Sequence, residues 1–318
     1  MKISIIGTGA YGLALSMMFY ENKHKIYMWT AFEEEKNMLV KIRKYEKVLP
    51  GVNIPEDIVF TCDLKEATLN SDLIVLAIPA GAFESVCMQL KDFVQNIPIL
   101  IASKGIENES LRFLHEIVEE NIKNTEIAAI SGPTFAIDMA LKERCALTLA
   151  SNNNQTRSFI KNILENPYLK INESDDIIGT EICGAYKNVV AIASGILDGL
   201  QVSVSTKCRF LTDAFLEMKD LIIALGGKED SILSYAGFGD FILTCTSPKS
   251  RNFTLGQMIG SKENQEKIND YIQNTTIEGL YTLKTVQKIM IEKNISLKLI
   301  PILSSIIEGK KEAEEILY

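Results

Sequence analysis

With only two histidines in 318 residues, any proton transfer by this chain must fall to other side chains. His24 stands in a charged turn and His115 in a glutamate-rich helical pattern, so both read as surface residues. Four other groups stand out. Lys187 lies in Gly184-Ala185-Tyr186-Lys187-Asn188-Val189, on a helical pattern whose near neighbours Val190, Ala191 and Ala193 are apolar. A lysine there either extends to solvent or is held in a site, and the spacing leaves both open. Removed from water, an amine gives up its proton more readily and becomes a donor or acceptor near neutrality. Asp240 closes Gly237-Phe238-Gly239-Asp240, where two glycines allow close backbone approach, and its carboxylate could orient a lysine or a hydroxyl. Arg251, between Ser250 and Asn252, offers a planar fork of donors that matches a phosphate. Lys104, in Ser103-Lys104-Gly105, follows the end of an apolar strand pattern. Singly, each is more often a loop or turn residue. Together they make an anion clamp, a carboxylate and a candidate acid.

These groups need a scaffold, and the most specific local pattern supplies one. Gly7-Thr8-Gly9-Ala10-Tyr11-Gly12 stands between a strand pattern at Lys2–Ile6 and a helix pattern at residues 11–20. In that setting Gly7 permits a tight turn, Gly9 lets the backbone approach a pyrophosphate, and Gly12 lets the helix pack on the sheet. The N–H groups and positive end of the helix then hold the anion. The motif predicts a bound dinucleotide. The acid that usually ends the second strand is missing, because Thr30-Ala31-Phe32-Glu33 follows Trp29. No Arg or Lys stands there either, which disfavours a 2′-phosphate and favours NAD over NADP. Ser131-Gly132-Pro133-Thr134-Phe135-Ala136 follows another strand end and reads as a helix start with Pro133 in the first turn.

Strand patterns recur at Lys25–Trp29, Val59–Thr61 and residues 73–78, 99–102, 127–130 and 146–150, with helix patterns at 83–94 and 110–122. This alternation predicts an α/β architecture, a doubly wound Rossmann-type sheet over residues 1–180. From Ile178 onward the apolar residues recur at three and four, as in Ile182, Ala185, Val189, Ile192 and Ile196. Residues 181–318 therefore read as an all-helical domain for substrate binding and catalysis.

The net charge of −8 gives no general attraction to nucleic acid or an anionic membrane. The lysine-rich stretch at 41–47 reads as a solvated helical face. No apolar run is long enough to span a bilayer and no export signal is evident, so the expected compartment is the cytoplasm. Six scattered cysteines without a CxxC pair fit buried thiols better than disulfides or zinc, and no metal is expected.

In order along the chain, GTGAYG, SKGIE, SGPTFA, GAYKNVVAIASG, AGFGD, LTCTSPKSRN and IEG resemble the NAD(P)-dependent glycerol-3-phosphate dehydrogenases. The likeness runs from Gly7 to about Thr285. It implies hydride transfer between NAD(P)H and dihydroxyacetone phosphate to give sn-glycerol 3-phosphate, a precursor of glycerophospholipids. It also implies an active site between two domains and a homodimer. Carried over by position, Lys187 would be the proton donor and acceptor, and Lys104 would touch both substrate and nicotinamide. Gly132 and Thr134 would contact substrate, Asp240 would steady Lys187 and substrate, and Ser250, Arg251 and Asn252 would bind the phosphate end. Gly7, Gly9, Ala10, Tyr11, Gly12, Phe32, Ala136, Arg251, Ile277 and Glu278 would contact the cofactor. Two departures stand out: Ser205-Thr206-Lys207 replaces an Asn-Thr-Lys or Asn-Ala-Arg run, and Ala31 stands where many bacterial relatives carry Arg or His. Phe32-Glu33-Glu34 is similar to NAD-using relatives. The competing readings are a β-hydroxyacid-type dehydrogenase and a non-catalytic NAD-binding sensor.

Overall fold

The computed structural model describes residues 1–317, which divide into two compact units: residues 1–104 with 114–177, and residues 105–113 with 178 onward. The first unit holds eight strands: β1 (Lys2–Ile6), β2 (Lys25–Trp29), β3 (Val59–Thr61), β4 (Leu73–Leu76), β5 (Ile99–Ile101), β6 (Ile127–Ser131), β7 (Cys145–Ala150) and β8 (Leu169–Ser174). Its helices are α1 (Ala10–Glu21), α2 (Glu33–Ile42), α3 (Leu64–Thr68), α4 (Ala80–Leu90), α5 (Leu114–Asn121), α6 (Ala136–Ala140) and α7 (Asn154–Leu164). The strands form one sheet in the order β3-β2-β1-β4-β5-β6-β7-β8, with all neighbours parallel except β6 and β7. β4 is buried at every residue, as a continuous apolar run covered on both faces requires. Strand order reverses between β1 and β4, the place where such sheets open a crevice for ligands.

The structure departs from the sequence expectations at several elements. β8 was not anticipated, because it is an edge strand with Leu169 and Ile171 buried and Lys170 and Asn172 exposed, so it offers no apolar run. α5 starts at Leu114, not residue 110, because Ile106 and Phe113 belong to the core of the second unit. Residues 105–113 therefore leave the 1–180 block to which the sequence reading assigned them. His115 is buried on α5 beside Leu114 and Val118, and His24 is half-buried with Nε2 3.0 Å from Ile163 O. Pro133 precedes α6, whose N-cap is Phe135. The 41–47 stretch is no helical face, since α2 ends at Ile42 and its C-cap, Arg43, is in the left-handed region (φ 53°). Of the six cysteines, Cys87, Cys183 and Cys245 are buried, Cys62 and Cys145 half-buried, and Cys208 exposed.

The second unit is helical: α8 (Ile177–Gly199), α9 (Val204–Ala224), α10 (Asp240–Thr246), α11 (Arg251–Gly260), α12 (Gln265–Asn274), α13 (Glu278–Lys293) and α14 (Leu299–Ile307). Short 3₁₀ segments lie at Glu229–Leu233 and Ala313–Ile316, and a π-helical turn at Tyr235–Gly239 runs into α10. α8 is the central element and is buried from Ile182 through Leu197. α11 crosses it with backbones almost in contact: a Cβ on Gly256 would stand 2.0 Å from Ile192 O, and one on Gly195 2.0 Å from Phe253 O. Glu217 on α9 ties three helices, accepting from the Tyr186 hydroxyl at 2.6 Å and from the Lys298 N–H at 2.6 Å at the start of α14. Among the described residues no helix is long and apolar enough to cross a membrane.

Candidate active site

In the first unit the glycine turn is crowded at two of its glycines and open at the third. Gly7 adopts φ +118° and a Cβ there would lie 2.3 Å from Ala77 O; one on Gly12 would lie 2.5 Å from Gly7 O. Gly9 differs, because its Cβ would meet nothing within 4 Å. Only Gly7 and Gly12 are demanded by packing, while Gly9 borders open space. α1 begins there with Gly9 as N-cap, no capping side chain and no acid in its first turn. Its first N–H groups and positive end therefore face that space, which suits the pyrophosphate of a dinucleotide. Ala10 and Tyr11 are partly exposed in this first turn, and Phe32, the N-cap of α2, is 69% exposed.

Lys104 is held to the same edge of the sheet. Ser103 Oγ accepts the Ile78 N–H at 3.0 Å and lies 2.6 Å from Ile78 O, stitching the exit of β5 to that of β4. The Lys104 Nζ then lies 5.6 Å from the centroid of the Tyr11 ring. Gly132 has a packing reason of its own, since a Cβ would fall 2.8 Å from Ala146 O. Its carbonyl accepts the Thr134 N–H at 2.8 Å, and the chain enters α6 at Ala136.

In the second unit the lysine left open by the sequence is held, not extended. Lys187 is 5% exposed and forms an ion pair with Asp240, itself 1% exposed. Lys187 Nζ also donates to Thr244 Oγ1 at 3.0 Å, and that hydroxyl bonds Asp240 Oδ1 at 3.2 Å. The π-helical turn sets this up: Ser234 Oγ accepts the Gly237 N–H at 3.1 Å, and Gly237 packs where a Cβ would be 2.2 Å from Ile232 O. α10 then opens with Asp240 in its first turn and Thr244 one turn later. Sequence reasoning missed Thr244; its signal is the four-residue spacing from Asp240.

A second network adjoins it. Asn188, also missed, donates to Glu278 Oε2 at 3.1 Å and accepts from Asn252 Nδ2 at 3.1 Å. Asn252 Oδ1 accepts the Gly279 N–H at 2.9 Å, which leaves one N–H of this amide for a further partner. Ser250 caps α11, accepting the Phe253 N–H at 3.3 Å, and Arg251 is exposed at the first helical position. Ile277, buried, caps α13, and Glu278 is its first residue. Ser205 is exposed in the first turn of α9, while Lys207 pairs with Asp198 at 2.6 Å. Among the described residues no three His, Cys, Asp or Glu side chains gather as a metal would need.

The first unit thus carries an open glycine turn with Lys104 near it, and the second a buried ammonium–carboxylate pair and, at the start of α11, an exposed arginine. Comparison with known proteins bears on their chemistry. Residues 2–157 match the family model for the N-terminus of NAD-dependent glycerol-3-phosphate dehydrogenase, and residues 176–318 match the model for its C-terminus. The chain is 34% identical to an NAD(P)+-dependent glycerol-3-phosphate dehydrogenase of Fusobacterium nucleatum, over 99% of this chain and 94% of that protein. It is 32% identical to the Staphylococcus aureus enzyme of that name, over 93% and 90%. The crystal structure of glycerol-3-phosphate dehydrogenase from Coxiella burnetii superposes with a TM-score of 0.94 at 29% identity, covering 99% of this chain and 97% of that one. A D-mandelate dehydrogenase shares the fold alone, with a TM-score of 0.65 at 15% identity.

Proposed function

The chain belongs to the NAD-dependent glycerol-3-phosphate dehydrogenase family, and from that premise we propose that it reduces dihydroxyacetone phosphate reversibly to sn-glycerol 3-phosphate, using NADH in preference to NADPH. The observation that carries this reading is the Lys187 ammonium, buried against Asp240 and Thr244 in a helical unit.

When bound, the nicotinamide supplies or takes up a hydride. The rest is the work of side chains. Gly9 and the first turn of α1 receive the pyrophosphate, and Lys104 lends positive charge at the same edge. Arg251, with the Ser250 hydroxyl and the remaining N–H of Asn252, fixes the substrate phosphate and so positions its carbonyl carbon. As negative charge grows on the carbonyl oxygen, the Lys187 ammonium stabilises it and then gives it a proton. Asp240 balances the ammonium's charge before the transfer, and Thr244 fixes its direction.

The reading includes a homodimer in the cytoplasm and a role in supplying glycerophospholipid precursor. Six free cysteines suit a reducing compartment, and the acidic balance gives no reason to expect nucleic acid. The test is cofactor oxidation, followed by absorbance with NADH and with NADPH, on dihydroxyacetone phosphate and on small keto acids. The expected result is turnover of the phosphorylated ketone alone, faster with NADH. Turnover of the keto acid instead would favour a β-hydroxyacid dehydrogenase, and binding without turnover a sensor. Arg251→Ala should weaken substrate binding by about 1.5–3 kcal/mol, and an unchanged Michaelis constant would remove Arg251 from the clamp.

A further inference from the structure

β2 ends without the carboxylate that usually meets the adenosine ribose of a dinucleotide, and the helix after it returns one to that place. β2 leaves the sheet beside the glycine turn, where the Gly7 N–H donates to Trp29 O at 2.9 Å. The next residue, Thr30, is buried, and its N–H donates to Thr61 O at 3.1 Å. Thr30 Oγ1 accepts the Phe32 N–H at 3.3 Å and donates its own proton to Glu35 Oε2. The Tyr45 phenol engages the same carboxylate; burial first, and this bond second, hold it above its ordinary pKa. Glu35 thus carries its charge back from the first turn of α2 to the mouth of β2. Two hydroxyls occupy part of its acceptor capacity, and a carboxylate offers about four lone-pair sites. Of its neighbours, Glu33 pairs with Lys36 at 2.5 Å, and Glu34 is exposed.

The same local arrangement recurs one strand over. Thr61 Oγ1 accepts the Asp63 N–H at 3.1 Å and donates to Glu66 Oε2. A threonine bonded to a glutamate five residues on is therefore, by itself, a way of entering a helix. Position separates the two cases. β3 is the edge strand, whereas β2 pairs with β1 and its exit touches the glycine turn.

We infer that Glu35 is the ribose acceptor of this chain, hydrogen-bonding the adenosine ribose hydroxyls and excluding a 2′-phosphate by its charge. The assignment rests on the cofactor reading above. A phosphate added there meets Glu33, Glu34 and Glu35 together in the first turn of α2, with Lys36 already paired.

The test is equilibrium binding, independent of turnover. The one tryptophan of the chain, Trp29, ends β2 with its indole N–H on Cys62 O at 3.0 Å, so its fluorescence reports the site. In Glu35→Gln the dissociation constant for NADH should rise by about tenfold or more while that for NADPH holds or falls, narrowing their ratio by at least about tenfold, or 1.4 kcal/mol. Glu66→Gln, the matched change on the edge strand, should keep the wild-type ratio. Thr30→Val keeps the carboxylate but removes its tether, and should shift the ratio the same way by less. An unchanged ratio in a folded Glu35→Gln protein, or an equal shift in Glu66→Gln, overturns the assignment. Thermal melting shows whether Glu35→Gln folds; if it does not, an unchanged ratio in Thr30→Val overturns it in the same way. Wild-type protein that binds neither nucleotide would defeat the cofactor reading itself, and the assignment with it.

Discussion

At the scale of single residues, the Lys187–Asp240 pair has both a chemical and a structural consequence, and the two can be separated. As the acid, Lys187 should account for about 10²–10⁴ in rate. Lys187→Met should lose that much in kcat while NADH affinity stays within about twofold, because the proposed nucleotide contacts do not include Lys187; near-normal turnover would take Lys187 out of the mechanism. The structural consequence follows from burial. Removing one partner of a buried ion pair leaves the other uncompensated and typically costs about 3–5 kcal/mol, whereas replacing both with apolar groups is often nearly neutral. Lys187→Met and Asp240→Asn should each lower the urea midpoint, and the double variant Lys187→Met/Asp240→Leu should recover much of the loss. A double variant less stable than either single one would mean that Thr244 and the surrounding backbone depend on the charges. The resemblance named Asp240 as the residue that steadies Lys187, and the ion pair bears that out, but the spacing around Lys187 does not point to it. Helical spacing gives the face a lysine occupies, but its partner arrives 53 residues later, directly after a π-helical turn that no periodicity announces.

At the scale of elements, the glycine turn was legible because strand, turn and helix each carry their own local signal. The roles its three glycines share out were not, since these depend on what stands opposite. Ala77 O and Gly7 O crowd Gly7 and Gly12, and nothing crowds Gly9. Gly9 also has φ −63°, which alanine adopts without strain. Gly9→Ala should therefore fold with stability within about 0.5 kcal/mol of wild type, yet bind NADH at least about tenfold more weakly, because its methyl enters the open space proposed for the phosphate oxygens. Gly12→Ala must push α1 away from Gly7 and Ala77 and should cost about 1–3 kcal/mol. Paired thermal melts and nucleotide titrations separate the two, and unaltered binding in Gly9→Ala would mean that no pyrophosphate approaches there. The same dependence on the opposite face hid β8. An edge strand alternating Leu169, Lys170, Ile171 and Asn172 resembles any half-buried segment until β7 pairs with it.

At the scale of the whole molecule, two cores were foreseeable from the change of periodicity near residue 178, but the chain's excursion between them was not. Residues 105–113 carry two buried apolar anchors, Ile106 and Phe113, seven residues apart and without helical or strand regularity, so they read as loop and strand-end from sequence. In the structure both join the core around α8, and Asn108 is fastened to α13, its side chain bonded by the Thr285 hydroxyl and its carbonyl by Lys288 Nζ at 2.6 Å. The segment directly after Lys104 is thus part of the helical unit's fold rather than a flexible connection. Its anchors should then weigh as core residues do. Phe113→Ala should cost about 3–5 kcal/mol, the usual loss for emptying a buried aromatic site, seen as a lowered urea midpoint by circular dichroism. Thr285→Val, which removes one fastening but keeps the volume, should cost about 1 kcal/mol. If Phe113→Ala moved the midpoint by less than the cost of that single hydrogen bond, residues 105–113 would be resting on the helical unit instead of completing it.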